Sequence, residues 1–190
     1  MIDPIGSVAV AARIALVTVF AAAVAAKFGA AARSGFRAAV AGLVPRLRGR
    51  RAESVATAVI VTEWAVTITL LLPGIAGFVL AAATLTAFTI AITAAVRRGA
   101  TTACHCFGRS ARPVSGVQLV RNLLLLMVTG VGLVTTATGH HPRAISDWWI
   151  AAFAGVVLGA SLIVFDDLAD LIRPAPPPTR HNRTEPDHPR

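Results

Sequence analysis

The sequence predicts an all-α integral membrane protein, a polytopic helical bundle with five transmembrane helices. Of its 190 residues, 55% are hydrophobic and only 14% are charged, whereas about a quarter of the residues in a soluble domain are charged. The mean hydropathy is +0.70. The apolar residues form long runs instead of the short periods of amphipathic elements. No interval between these runs has enough apolar residues to build a core, which excludes a separate soluble domain.

Each apolar run is long enough to cross a hydrocarbon layer of about 30 Å at 1.5 Å per residue. The predicted spans are residues 5–26, 55–72, 75–96, 119–138 and 148–165, a four-helix core plus one. A cleaved signal peptide is the alternative for the first run, but residues 1–4 have no positive charge. We therefore expect one transmembrane domain over residues 1–173 and a disordered, proline-rich tail over residues 174–190.

The interval between the first two spans contains a short amphipathic pattern. Phe36, Val40 and Leu43 follow i, i+4, i+7 spacing, which predicts an interfacial helix. Pro45 would end this helix.

Lysine and arginine residues predict the orientation. Residues 27–54 contain seven, residues 97–118 contain four and residues 173–190 contain four, whereas the opposite side has only Arg143. The positive-inside rule then predicts a multi-pass cell-membrane protein with its N-terminus outside and its C-terminus in the cytoplasm. The net charge of +9 is therefore attributed to the loops that set the orientation and not to nucleic-acid binding, because no nucleic-acid-binding module is visible.

Two charged residues interrupt the predicted spans. Arg13 lies nine residues into the first span, and Glu63 lies about as deep in the second when counted from Leu72. Because an unpaired charge in a membrane costs a few kcal/mol, we expect Arg13 and Glu63 to form an intramembrane pair. The pair would either line a pocket for a headgroup, quinone or proton, or only fix the helix register.

The fifth span contains a small-xxx-small pattern formed by Gly155 and Gly159 and extended by Ala151. Such spacing is typical of close helix packing. The packing would be either internal or between copies of the chain in a homo-oligomer.

The only two cysteines, Cys104 and Cys106, lie in a basic loop after the third span. A redox pair is one interpretation, because the thiolate is the nucleophile and nearby cations such as His105 and Arg109 raise its population. A zinc or copper site is a second, although His140 and His141 fall on the opposite side. Two inert thiols are the third. A single pair cannot form a complete disulfide relay across a membrane.

Several segments resemble the methylamine-utilisation protein MauE family, within the wider DoxX-like group of redox-associated membrane proteins. The most specific is Cys-x-Cys-Phe-Gly at residues 104–108, and the resemblance covers about residues 9–130. His105 departs from the pattern, because relatives often have a small residue there. The other matching elements are Arg13 with residues 27–29, residues 36–45, Glu63, residues 97–99, and Arg121 with Asn122.

The resemblance implies a membrane component that helps a thioredoxin-like partner to mature a disulfide-rich protein, as in methylamine dehydrogenase maturation. We therefore expect a thiol–disulfide redox component, an oxidoreductase subunit in which Cys104 and Cys106 exchange electrons. A quinone is a candidate electron acceptor. The alternative is a non-catalytic membrane scaffold that recruits a redox or metal-handling partner.

Overall fold

The computed structural model describes residues 4–43, 49–99, 116–139 and 145–172. These residues form six helices and no strand, and five of the helices are long and apolar enough to cross a membrane. The all-α membrane fold predicted from composition is therefore confirmed. The helices are α1 (Pro4–Ala25), α2 (Ala30–Leu43), α3 (Arg50–Leu71), α4 (Ala76–Arg97), α5 (Gly116–Ala137) and α6 (Ile145–Ile172).

α3 and α6 extend furthest beyond the apolar runs that predicted them. α3 begins at Arg50 instead of Val55, directly after Gly49, which has a φ of 57°. Its polar first turn is helical because Glu53 there complements the helix dipole. α6 continues past the expected end at Phe165 to Ile172, because no proline or glycine interrupts it before Pro174.

The predicted interfacial helix is α2. Its apolar side buries Phe36 and Val40 against Ala56 of α3, and its other side exposes Arg33 and Arg37. An amphipathic helix of this kind suits the boundary between headgroups and acyl chains. The side chain of Leu43, the third residue of the pattern, lies outside the described side chains.

The bundle is built around α1, which packs against α3, α5 and α6 and is the most buried of the five long helices. α4 packs between α3 and α5. The core contains Leu16, Leu70, Phe78 and Leu125, each almost fully buried. We call the end that contains α2 and the start of α3 the α2 end, and the end at the α3–α4 turn the Pro73 end.

Gly155 and Gly159 allow α6 to lie parallel and close to α1. A Cβ atom at Gly155 would lie 2.5 Å from the carbonyl oxygen of Ala11, and one at Gly159 would lie 2.8 Å from that of Ala15. The small-xxx-small pattern therefore serves internal packing. Of the two predicted roles, packing within the chain is the one observed, and a homo-oligomer stays a prediction.

Candidate functional site

The predicted redox loop lies outside the described residues. This applies to Cys104 and Cys106, and to His105 and Arg109, which were expected to tune them. The structure does describe the ends of α4 and α5, the two helices that precede and follow the loop. Within the described ranges, no group of histidine, cysteine or acidic residues could hold a metal ion.

Asn122 holds the first half of α5 against α4. Its buried side-chain amide donates to the carbonyl oxygen of Leu85 at 2.9 Å and to the hydroxyl of Thr89 at 2.6 Å. Bonds of this kind between membrane helices contribute about 0.6–2 kcal/mol each. The two helices that flank the cysteine loop are therefore joined by polar bonds as well as by apolar packing.

Most of the exposed charged side chains described at the α2 end are basic. Among those side chains the one acidic residue is Glu53, which pairs with Arg37 at 2.7 Å, while Asp166, Asp167 and Asp170 lie in the last turns of α6 at the same end. Arg121, beside Asn122, is buried at the same end. The cysteine loop begins directly after exposed arginines, Arg97 and Arg98, at the end of α4. The exposed cations at the α2 end are Arg33, Arg37, Arg50, Arg51, Arg97 and Arg98.

Lys27 and Glu63 form a buried ion pair. The Lys27 Nζ lies 2.7 Å from one carboxylate oxygen of Glu63 and 2.8 Å from the other, and it donates to the carbonyl oxygen of Ala23 at 3.1 Å. The ammonium also lies 4.8 Å from the ring centre of Phe36 on α2. The predicted pair between Arg13 and Glu63 is wrong, because Lys27 is the partner of Glu63.

Side-chain direction explains this correction. In a helix the Cα–Cβ bonds tilt toward the N-terminus. Arg13 on α1 therefore points to the Pro73 end, whereas Glu63 on the antiparallel α3 points to the α2 end. Two residues at similar backbone depth thus direct their charged groups apart. Lys27 follows α1 and points back along it, as its bond to Ala23 shows, so it meets Glu63.

Arg13 instead caps the end of α3. Its guanidinium donates to the carbonyl oxygens of Leu70 (2.8 Å), Leu72 and Gly74 (2.7 Å). It also lies 4.9 Å from the ring centre of Phe78. The last carbonyl groups of a helix have no partner within the helix, and such groups must be satisfied inside a membrane. Arg13 thus stabilises the α3–α4 turn.

A model of the methylamine utilisation protein MauE family matches residues 5–135. The chain belongs to the MauE family. The match begins at the start of α1 and continues almost to the end of α5, so it includes the buried ion pair and the cysteine loop. No match was found among curated proteins or among solved structures.

Lys27 is the member of the buried ion pair of this MauE protein that the sequence pattern did not predict. Its position after the first apolar run predicts a cation that sets the orientation of the chain. Its residue type and its position in the sequence could have indicated a buried role. It is the only lysine of the chain, next to an apolar run long enough to shelter its stem, and lysine often buries its stem along such a surface. The positions of the apolar runs along the sequence do not show which acidic side chain pairs with Lys27.

Proposed function

We propose that this MauE-family protein is a membrane thiol–disulfide redox component that assists the oxidation or maturation of a partner protein. Family membership supports a membrane protein associated with methylamine utilisation. The observation that carries the finer proposal is that both cysteines of the chain, Cys104 and Cys106, are separated by a single residue. A pair so close in sequence is typical of thiol exchange.

The proposed chemistry is disulfide exchange. A thiolate of the partner attacks a sulfur of the Cys104–Cys106 disulfide and forms a mixed disulfide, and the second partner thiol then displaces the loop cysteine. The partner loses two electrons and two protons and gains a disulfide, while the loop gains two thiols. A thioredoxin-like disulfide protein or a quinone must then reoxidise the loop, because the chain has no second cysteine pair.

The described surroundings support this chemistry through their charge. A nearby positive charge favours the thiolate over the thiol, and exposed Arg97 and Arg98 supply it where α4 leads into the loop. Within the loop, His105 and Arg109 are proposed to contribute in the same way. The bonds of Asn122 to α4 would hold the two loop ends at a constant separation.

The proposed setting is a cell membrane, with the α2 end and the cysteine loop on the cytoplasmic side. A disulfide there faces a reducing compartment and needs continuous reoxidation. The partner is therefore proposed to be a thioredoxin-like or disulfide-bearing protein that reaches the α2 end.

The test replaces Cys104 and Cys106 by serine, singly and together, in the full-length chain. Ser110→Ala in the same loop is the control. The readout is the fraction of oxidised cysteines in the disulfide-bearing partner, measured by alkylation and mass shift at matched membrane abundance. Each single variant should reduce partner oxidation at least tenfold. If the double variant supports normal oxidation, the redox function is wrong and the non-catalytic scaffold remains.

A further inference from the structure

A cleft opens at the Pro73 end, opposite the helix ends that flank the cysteine loop. It has a volume of about 220 Å³. Four parts of the chain line it: α1 with Gly6 and Arg13, the α3–α4 turn with Pro73, the end of α5 with Thr136, and the start of α6 with Trp148. Most of its wall is apolar, so a ligand must be at least partly hydrophobic.

Arg13 places a positive charge in this cleft without a neighbouring carboxylate. Among the described residues, no acidic side chain lies within ion-pair distance of it, and the buried Asp147 is not part of the wall. The three carbonyl groups that Arg13 binds use three of its five N–H donors. The other two N–H groups donate to none of these carbonyl oxygens, and the charge has no acidic partner among the described residues.

Thr136 adds a second polar group. Its hydroxyl is buried and has no hydrogen-bond partner among the described residues, whereas the neighbouring Thr135 donates to the carbonyl oxygen of Val131 at 2.8 Å. A buried hydroxyl without a partner costs about 1–3 kcal/mol. Because Thr136 and Arg13 line the same cleft, a ligand oxygen bound there is the acceptor that we assign to this hydroxyl.

We propose that this cleft binds the phosphate group of an anionic membrane phospholipid. The Arg13 guanidinium supplies the charge and N–H donors that suit phosphate oxygens, and Thr136 donates from the α5 side. Trp148 covers the glycerol region, where an indole ring suits the membrane interface. The acyl chains would continue along the apolar outer surface of the bundle.

Charge and size favour this occupant over a quinone. A quinone offers neutral carbonyl oxygens and leaves the charge of Arg13 uncompensated, whereas a phosphate neutralises it. The cleft is also smaller than the roughly 300–1,000 Å³ of pockets that enclose whole drug-sized ligands, so it suits a headgroup with its tails outside. The site is independent of the proposed thiol chemistry, which belongs to the other end of the bundle.

Native mass spectrometry of the delipidated full-length chain in detergent tests the proposal. The probes are dioleoyl phosphatidylglycerol, dioleoylglycerol (the same tails without phosphate), inorganic phosphate and decylubiquinone. Two matched pairs of variants isolate the cleft: Thr136→Val with its neighbour Thr135→Val, and Trp148→Ala with its neighbour Trp149→Ala. None of them changes Arg13, so the α3–α4 turn keeps its cap.

Phosphatidylglycerol should bind at one saturable site per chain, and dioleoylglycerol should not bind there. Thr136→Val should weaken the site about tenfold through the lost hydrogen bond to a charged group, and Trp148→Ala should weaken it severalfold, with both controls within twofold of wild type. Equal affinities within each pair would overturn the proposal. So would displacement of the lipid by millimolar phosphate alone, or decylubiquinone binding with the same variant pattern.

Discussion

Lys27 and Glu63 join the end of α1 to the middle of α3 through a buried ion pair with distances of 2.7 and 2.8 Å. Phe36 of α2 lies over the lysine ammonium, so three helices meet at this pair. The pair therefore couples the position of the interfacial helix to two membrane spans. This relationship supplies a direct test of the packing at the α2 end.

Removing one partner of the pair should be strongly destabilising. Lys27→Met leaves the Glu63 carboxylate buried without a counter-charge, and Glu63→Leu leaves the ammonium in the same state. Each should cost about 3–5 kcal/mol, whereas the double variant should recover most of this loss. Unfolding in mixed detergent micelles measures the free energies.

The exposed pair Arg37–Glu53 is the matched control for this cycle, because replacing both of its residues by alanine should cost at most about 1 kcal/mol. If Lys27→Met lowered the free energy of unfolding no more than that control does, the buried pair would not stabilise the fold.

The contact between α6 and α1 should depend on Gly155. Gly155→Ala places a Cβ atom 2.5 Å from the carbonyl oxygen of Ala11, so the helices must separate, at a cost of about 1–3 kcal/mol. Gly130→Ala in α5 is the control, because a Cβ atom there meets nothing within 4 Å. The control should be neutral or slightly stabilising through helix propensity. Thermal unfolding of both variants in one detergent compares them, and equal midpoints would contradict the packing described.

Loss of the Arg13 cap should loosen the α3–α4 turn locally. Arg13→Gln removes the charge and most of the donors that satisfy Leu70, Leu72 and Gly74. Amide hydrogen exchange over residues 70–78 should rise at least tenfold, with much smaller changes in α2. Arg33→Gln, an exposed substitution in α2, should leave the turn unchanged. Unaltered exchange in Arg13→Gln would show that the turn is stable without its cap.

The bond from Asn122 to Thr89 should couple α5 to α4. Asn122→Leu and Thr89→Val should each destabilise the protein, and their double-mutant cycle should give a coupling of about 0.5–2 kcal/mol. Thr86→Val, at an exposed position of α4, provides the comparison and should show no coupling with Asn122→Leu. Additive effects of the first two substitutions would exclude the bond.

Thiol labelling of intact cells tests the predicted orientation. A membrane-impermeant maleimide should fail to label reduced Cys104 and Cys106 until the membrane is permeabilised, because charge counting places their loop in the cytoplasm. Ser146→Cys in a chain with both native cysteines changed to serine reports the Pro73 end, where Ser146 is exposed, and should label from outside. Labelling of the native cysteines in intact cells would reverse the orientation.

The sequence by itself determined the membrane class, the number of spans and the amphipathic helix α2. These features depend on apolar run length and on the spacing of Phe36 and Val40, which are local properties. The small spacing of Gly155 and Gly159 likewise indicated close packing, although it could not say whether the partner was α1 or a second chain. The proposed chemistry of Cys104 and Cys106 rests on the sequence, because that loop lies outside the described residues.

Only the tertiary structure decided which groups meet the charges inside the bundle. Arg13 and Glu63 have similar depths along their helices, yet Arg13 caps α3 and Glu63 binds Lys27. The reason is that side chains tilt toward the N-terminus of their own helix, so antiparallel neighbours direct their charged groups to opposite ends. The partner of a charged side chain therefore depends on the direction of its helix and on which helices are in contact. Residue spacing along the sequence specifies neither.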